Sequence, residues 1–141
     1  MVKLIRKGKK KKGFTLIELV AVVAIIGILA AILVPKITGY MQEAKKTKVI
    51  DQARKVLLAV ETYNMKNDTA FAGTTVKNSV DNASIREFIQ PGAADGAAVM
   101  GSTLDKLTDG MTIVQCKQIV EERKDFKLGT DDKFSAMIAT T

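Results

Sequence analysis

A chain of 141 residues has room for one modest domain and its appendages. The formal charge of +7 sits at one end: seven of the 22 basic residues fall within residues 1–13, and the 15 that remain equal the 15 acids. The bulk of the chain is therefore neutral and carries no electrostatic footprint for nucleic acid, while one cysteine and no histidine exclude an intrachain disulfide and remove the commonest member of zinc sites and catalytic triads.

The basic segment holds Lys3, Arg6, Lys7 and the run Lys9–Lys12, and ends at Gly13. Residues 14–34 follow, apolar except for Thr15 and Glu18. As a helix these residues cover about 31 Å, matching a bilayer hydrocarbon core of about 30 Å. A soluble core helix of this length keeps a polar face, and none is present. The segment reads as a membrane span, with the lysines on the cytoplasmic side and the C-terminal portion outside. A secretory signal peptide fits poorly: its apolar region is shorter, and Pro35-Lys36-Ile37 offers no small-residue cleavage site. An uncleaved signal anchor fits the lysines and the span, and gives no reason for Gly13, Phe14 or Glu18.

Residues 11–19, KKGFTLIEL, resemble the processing site of the type IV pilin and pseudopilin family, and the likeness runs over residues 8–35. It implies that a membrane prepilin peptidase cuts between Gly13 and Phe14 and methylates the new amine of Phe14. The leader 1–13 would leave and the apolar helix would stay. It also implies a role for Glu18, which lies one turn from that amine and would pair with the Phe14 amine of a neighbouring subunit during assembly. A carboxylate at mid-bilayer costs about 2.5–3.5 kcal/mol, so a partner is expected. The alternative is that Glu18 rests at the interface, favoured by the helix N-terminus and the nearby lysines. Gly27 and Pro35 mark weak points: a mid-helix proline costs about 3 kcal/mol and a glycine up to about 1 kcal/mol. Both match positions of glycine and proline in the first helix of many pilins, where bending or local melting is the implied use; a kinked membrane helix is the plain alternative.

Beyond Pro35, Val49, Ala53, Val56, Leu57, Val60 and Tyr63 or Asn64 recur at helical spacing, with Lys45, Lys46, Lys48, Asp51, Arg54, Lys55 and Glu61 between them. A helix from about 14 to 65 is expected, roughly 75 Å long, with an apolar half for membrane or filament core and an amphipathic half for a small head. Asn64, Asn67 and Asp68 favour its exit. Thr69–Ser79 reads as polar loop with Thr74-Thr75-Val76 a weak strand. Residues 82–90 read as a short helix stopped by Pro91-Gly92, facing inward with Ile85, Phe88 and Ile89. Ala93–Gly101 reads as loop and Ser102–Thr108 as one helical turn. Met111–Val120, rich in β-branched residues, reads as the best strand, with Phe126–Leu128 and Phe134–Ile138 as partners across Gly129–Asp132. The expected class is α+β: a long N-terminal helix packed on an antiparallel sheet of three to four strands laid on residues 49–64, with residues 66–141 as the head.

Many pilins close a C-terminal loop with two cysteines; here only Cys116 is present, and it reads as a small buried strand residue. Asp131 and Asp132 resemble the calcium-binding acidic loops of some secretion pseudopilins, but a calcium site needs six or more oxygens and a solvated turn explains them as well. Asn67-Asp68-Thr69 and Asn82-Ala83-Ser84 fit the glycan acceptor pattern, which is common. KGKKKK has no interleaved aromatic residues and abuts the span, so orientation explains it better than phosphate binding.

The resemblance implies a structural, non-enzymatic subunit of a type IV pilus, used for adhesion, twitching motility or DNA uptake. Its partners would be further copies and other pilins, a prepilin peptidase, a pilus platform membrane protein, a cytoplasmic ATPase and the membrane. No cofactor, metal or small-molecule substrate is implied, and nucleic acid enters only if the pilus takes up DNA. The location would be the inner membrane as a single-pass precursor with its N-terminus inside, then the cell surface. A pseudopilin of a type II secretion or competence system is the near alternative. A monomeric, signal-anchored surface binding protein is the distant one.

Overall fold

The computed structural model describes residues 13–139. Five helices come first: α1 (Leu16–Lys66), α2 (Val76–Asp81), α3 (Ala83–Ile89), α4 (Gly96–Ser102) and α5 (Ile113–Val120). A two-stranded antiparallel sheet of β1 (Phe126–Leu128) and β2 (Phe134–Met137) follows. The class is α+β, with a long N-terminal helix, short helices and a small sheet. Two compact units meet in the chain between Tyr40 and Met41.

In the N-terminal unit α1 runs through Gly27 without a break, and Pro35 lies inside the helix. From Gly13 to Ala44 every residue is exposed. This stretch of α1 is long and apolar enough to cross a membrane. Pro35 cannot donate to the carbonyl of Ala31, while its own carbonyl accepts from Thr38 Oγ1 at 2.8 Å.

In the C-terminal unit the rest of α1 buries one stripe, Val49, Ala53, Val56, Leu57, Ala59 and Val60. The apolar periodicity read from the sequence is thus the packed face, with Tyr63 partly buried beside it. The core is completed by Val76, Val80, Ile85, Val99, Leu104, Leu107 and Met111, and by Phe126 and Phe134, whose rings lie 5.9 Å apart. Asn67 ends α1 by turning its side-chain amide onto the Tyr63 carbonyl, 2.8 Å away.

The head departs from the expected sheet in three places. Met111–Val120 is not a strand: α5 occupies it, because Thr112 and Gln115 form a reciprocal capping box and Cys116 and Ile119 fall three apart on the buried face. The β-branched residues cost a helix only tenths of a kcal/mol each, about 0.7 at most, which a cap and a buried stripe outweigh. Ala93–Gly101 is not loop throughout, since Asp95 caps α4 by accepting from the Ala98 N–H at 2.7 Å. Part of the Thr69–Ser79 loop is α2, opened by a capping box of Thr75 and Asn78. Of the weak strand at Thr74–Val76, a single bridge survives, Thr75 to Thr112, flanked by Val76 N–H to Met111 O at 2.8 Å and Ile113 N–H to Thr74 O at 2.9 Å.

The sheet therefore has two strands instead of three or four. It pairs Phe126 with Met137 and Lys127 with Ala136, then slips between Lys127 and Leu128. Lys45 and Lys46 of α1 reach Asp132 at 2.9 Å and Asp125 at 2.6 Å beside it, and Phe126 and Phe134 share one core with Val49 and the rest of the α1 stripe. Asp132, at φ 58, turns the hairpin in the left-handed region that aspartate tolerates.

Candidate functional site

The residues singled out in the sequence cluster at the start of α1, and only part of that region is described. Residues 1–12, with the whole basic run, lie outside the described residues; Gly13 and Phe14 are inside and precede the helix. A Cβ added at Gly13 would meet nothing within 4 Å, and the same holds at Gly27. Packing among the described residues requires neither glycine.

Glu18 lies in the first turn of α1. Its Oε2 accepts from the Thr15 backbone N–H at 2.9 Å and from Thr15 Oγ1 at 2.8 Å, and its own N–H donates to Thr15 Oγ1 at 3.3 Å. This is the capping-box arrangement, in which serine or threonine and a glutamate three residues on satisfy two helix-terminal donors reciprocally. The carboxylate is exposed, and only its Oε2 is engaged in these bonds, so it can take a further donor from another molecule. Thr15 was missed as Glu18's partner, although Thr15-x-x-Glu18 is a recognisable capping signature.

The remaining candidates fall on the head and do not join this region. Cys116 is fully buried, and burial pushes its thiol up to about 12. It is buried as expected, on a helix instead of a strand. Asp131 and Asp132 lie in the hairpin turn, 4.0 Å from Lys133 Nζ and 2.9 Å from Lys45 Nζ respectively. Among the described residues no group of three or more histidine, cysteine or acidic side chains is placed to hold a metal. Asn82, in one glycan acceptor pattern, spends its side-chain oxygen capping α3, taking the Ser84 and Ile85 N–H groups at 3.0 and 3.2 Å.

One polar connection inside the head was not legible. Gln52 on α1 donates to Asp105 Oδ1 at 2.7 Å and accepts the Lys106 N–H at 2.8 Å. The Gln52 amide, helped by Lys106, holds the Asp105 carboxyl below the usual carboxylate range. Asp125 is lowered likewise, first by the Lys46 ammonium and then by the Phe126 N–H. Separations of 53 and 79 residues leave no local signal for either pair.

Residues 8–34 match the family model of the prokaryotic N-terminal methylation motif. The chain is 36% identical over 98 residues to a type IV major fimbrial protein FimA of Dichelobacter nodosus, covering 67% of this chain and 61% of that protein. It is 38% identical over 71 residues to a fimbrial protein of Pseudomonas aeruginosa, covering 50% and 46%. To the type II secretion system core protein G of Escherichia coli K12 it is 36% identical over 62 residues, covering 44% and 43%. The chain thus spans less than two thirds of the length of each of these relatives. No solved structure matches it.

Proposed function

We propose that this chain, whose N-terminal segment carries the prepilin-type methylation motif, is a structural subunit of a type IV pilus. The observation that carries the reading is the coincidence of that motif with an exposed apolar helix bearing a single acid in its first turn. Residues 1–13 are the leader, removed by a prepilin peptidase between Gly13 and Phe14, and the new Phe14 amine is methylated. Residues 14–34 hold the subunit in the inner membrane with its N-terminus inside. Extraction by a platform membrane protein and a cytoplasmic ATPase then transfers this segment from lipid to the core of a surface filament, with residues 66–141 as the head.

Glu18 supplies register in that transfer. Apolar helices packed side by side resist sliding weakly, whereas a carboxylate that must meet a neighbour's amine selects one offset. The Thr15 hydroxyl and N–H satisfy the carboxylate inside its own chain until the neighbour's amine arrives. Gly27 and Pro35 are where the helix gives during packing, because glycine is a weak helix former and Pro35 has no N–H for the Ala31 carbonyl. The role is structural and non-enzymatic, and it needs no cofactor.

Likeness to a secretion-system core protein favours one second reading, a pseudopilin that uses the same N-terminal device in a short filament. Intact mass and N-terminal sequence of the protein from its native cells test the common part. A start at N-methylated Phe14 is expected. A start at Met1 in membranes would reduce the protein to a signal-anchored surface protein. Long surface fibres containing the chain separate pilus from pseudopilus.

A further inference from the structure

A groove of about 560 Å³ opens on the head between the Glu43–Arg54 stretch of α1 and the chain from the end of α5 to the start of β1. Four cations line it, Lys46, Arg54, Arg123 and Lys124, against two acids, Glu43 and Asp125. Of its apolar lining residues, Ile50 and Val120 are half-buried and Ile119 and Phe126 are buried. Arg123 is held at φ 52, the left-handed region that arginine seldom adopts, and its exposed guanidinium has no carboxylate partner among the described residues. The other three cations have partners in exposed pairs: Lys46 with Asp125, Arg54 with Asp51 at 3.4 Å, and Lys124 with Glu122 at 2.9 Å. Water screens such pairs, so these cations remain open to a second anion.

Four cations against two acids suit an anion. The chain limits where such an anion can be met. Nine positions separate Val34, the end of the apolar run, from Glu43 at the groove, a reach of at most roughly 30 Å. Lys36, Lys45 and Lys48 lie in or beside that stretch and add positive charge. We propose that the groove docks the head onto anionic phosphodiester headgroups of the leaflet from which it projects, before the subunit is extracted. The inference rests on the membrane-spanning reading of residues 14–34. The phosphodiester meets Arg123 and Lys124, with Lys46 and Arg54 beside them. Each cation near an anionic leaflet adds to the attraction, and the contact weakens with salt.

The full chain, reconstituted in nanodiscs of phosphatidylcholine alone or with phosphatidylglycerol, provides the test by amide hydrogen exchange. Residues 119–127 should exchange roughly tenfold more slowly with phosphatidylglycerol present. Raising the ionic strength should remove the difference, and so should the R123E/K124E variant or, separately, Arg54→Glu. Thermal unfolding of each variant controls for loss of the fold. Equal exchange in the two discs overturns the proposal. Equal protection in phosphatidylcholine discs on adding inorganic phosphate would make the groove a free-anion site, and protection that grows with protein concentration would make it a contact between copies; either result overturns lipid docking. Exchange of residues 16–34 reads the span independently. If those amides are protected in both discs while the groove is indifferent, docking alone fails. If they are unprotected, the membrane reading falls and docking falls with it.

Discussion

Residues 16–34 and residues 49–60 lie in one helix and obey different solvents. The first stretch has apolar side chains all round and buries none of them; the second alternates apolar and charged residues and buries six. The difference locates where each half finds its stabilisation. A stripe of Val49, Ala53 and Val56 is covered by the chain itself, so those residues secure the head. Apolar surface on every side has no cover among the described residues, and lipid or other copies would supply it.

Substitutions should separate the halves by what they destroy. Replacing Glu18 with Ala should leave insertion and cleavage intact and abolish filaments, read by electron microscopy beside the mass of the processed subunit. Normal filaments from that mutant would end the register role. Leu104→Ala, at a fully buried core position, should destabilise the head by about 2–5 kcal/mol. Ile26→Ala, in the uncovered half, should leave head unfolding unchanged in detergent; an equal loss from both would erase the contrast. Gly96→Ala should cost about 1–3 kcal/mol, because a Cβ there would stand 2.6 Å from Asp81 Oδ1 and 3.1 Å from the Val80 carbonyl carbon. Gln52→Leu removes two hydrogen bonds and should cost about 1–2 kcal/mol, with the Asp105 carboxyl titrating nearer its ordinary value in an NMR pH series.

The smallest effect concerns acid. Asp125 is lowered in the folded chain by Lys46 and the Phe126 N–H, so below its ordinary pKa of about 3.9 the unfolded chain takes up the proton more readily. Its contribution is therefore present above that pH and fades as the pH falls through the lower, folded value. Lys46→Met should flatten the acid limb of the unfolding curve slightly. An unchanged limb would mean that the pair is fully screened.

Legibility followed the range of the forces involved. The span, the buried stripe of α1, the exit at Asn67, α3 and the hairpin partners are written in periodicity, turn residues and local caps, all within a few positions of one another; on α3, Ile85 and Ile89 face inward as expected while Phe88 is exposed. The strand expected at Met111–Val120 failed because β-branched content was weighted above Thr112-x-x-Gln115, a cap that was equally readable. The same oversight hid Thr75-x-x-Asn78 and Thr15-x-x-Glu18. The clasp of Gln52 on Asp105 and Lys106, and of Lys45 and Lys46 on the hairpin, joins residues far apart in sequence and had no signal to find. At the candidate site, Gly13, Phe14 and Glu18 were singled out through resemblance, and they fall within residues 8–34, which match the methylation motif; the roles proposed for them wait on the tests above.

Cys116 gives the head a built-in recorder of its own opening. An odd thiol is ordinarily a hazard in an oxidising environment, which joins such thiols between molecules. Here the sulfur is fully enclosed and its proton is held to about 12, so almost no reactive thiolate exists while the head is folded. Any covalent mark found on Cys116 then dates from a moment when α5 had left the core. A stored sample of the protein, probed with a thiol-specific label before and after denaturation, would report the fraction of molecules that have opened.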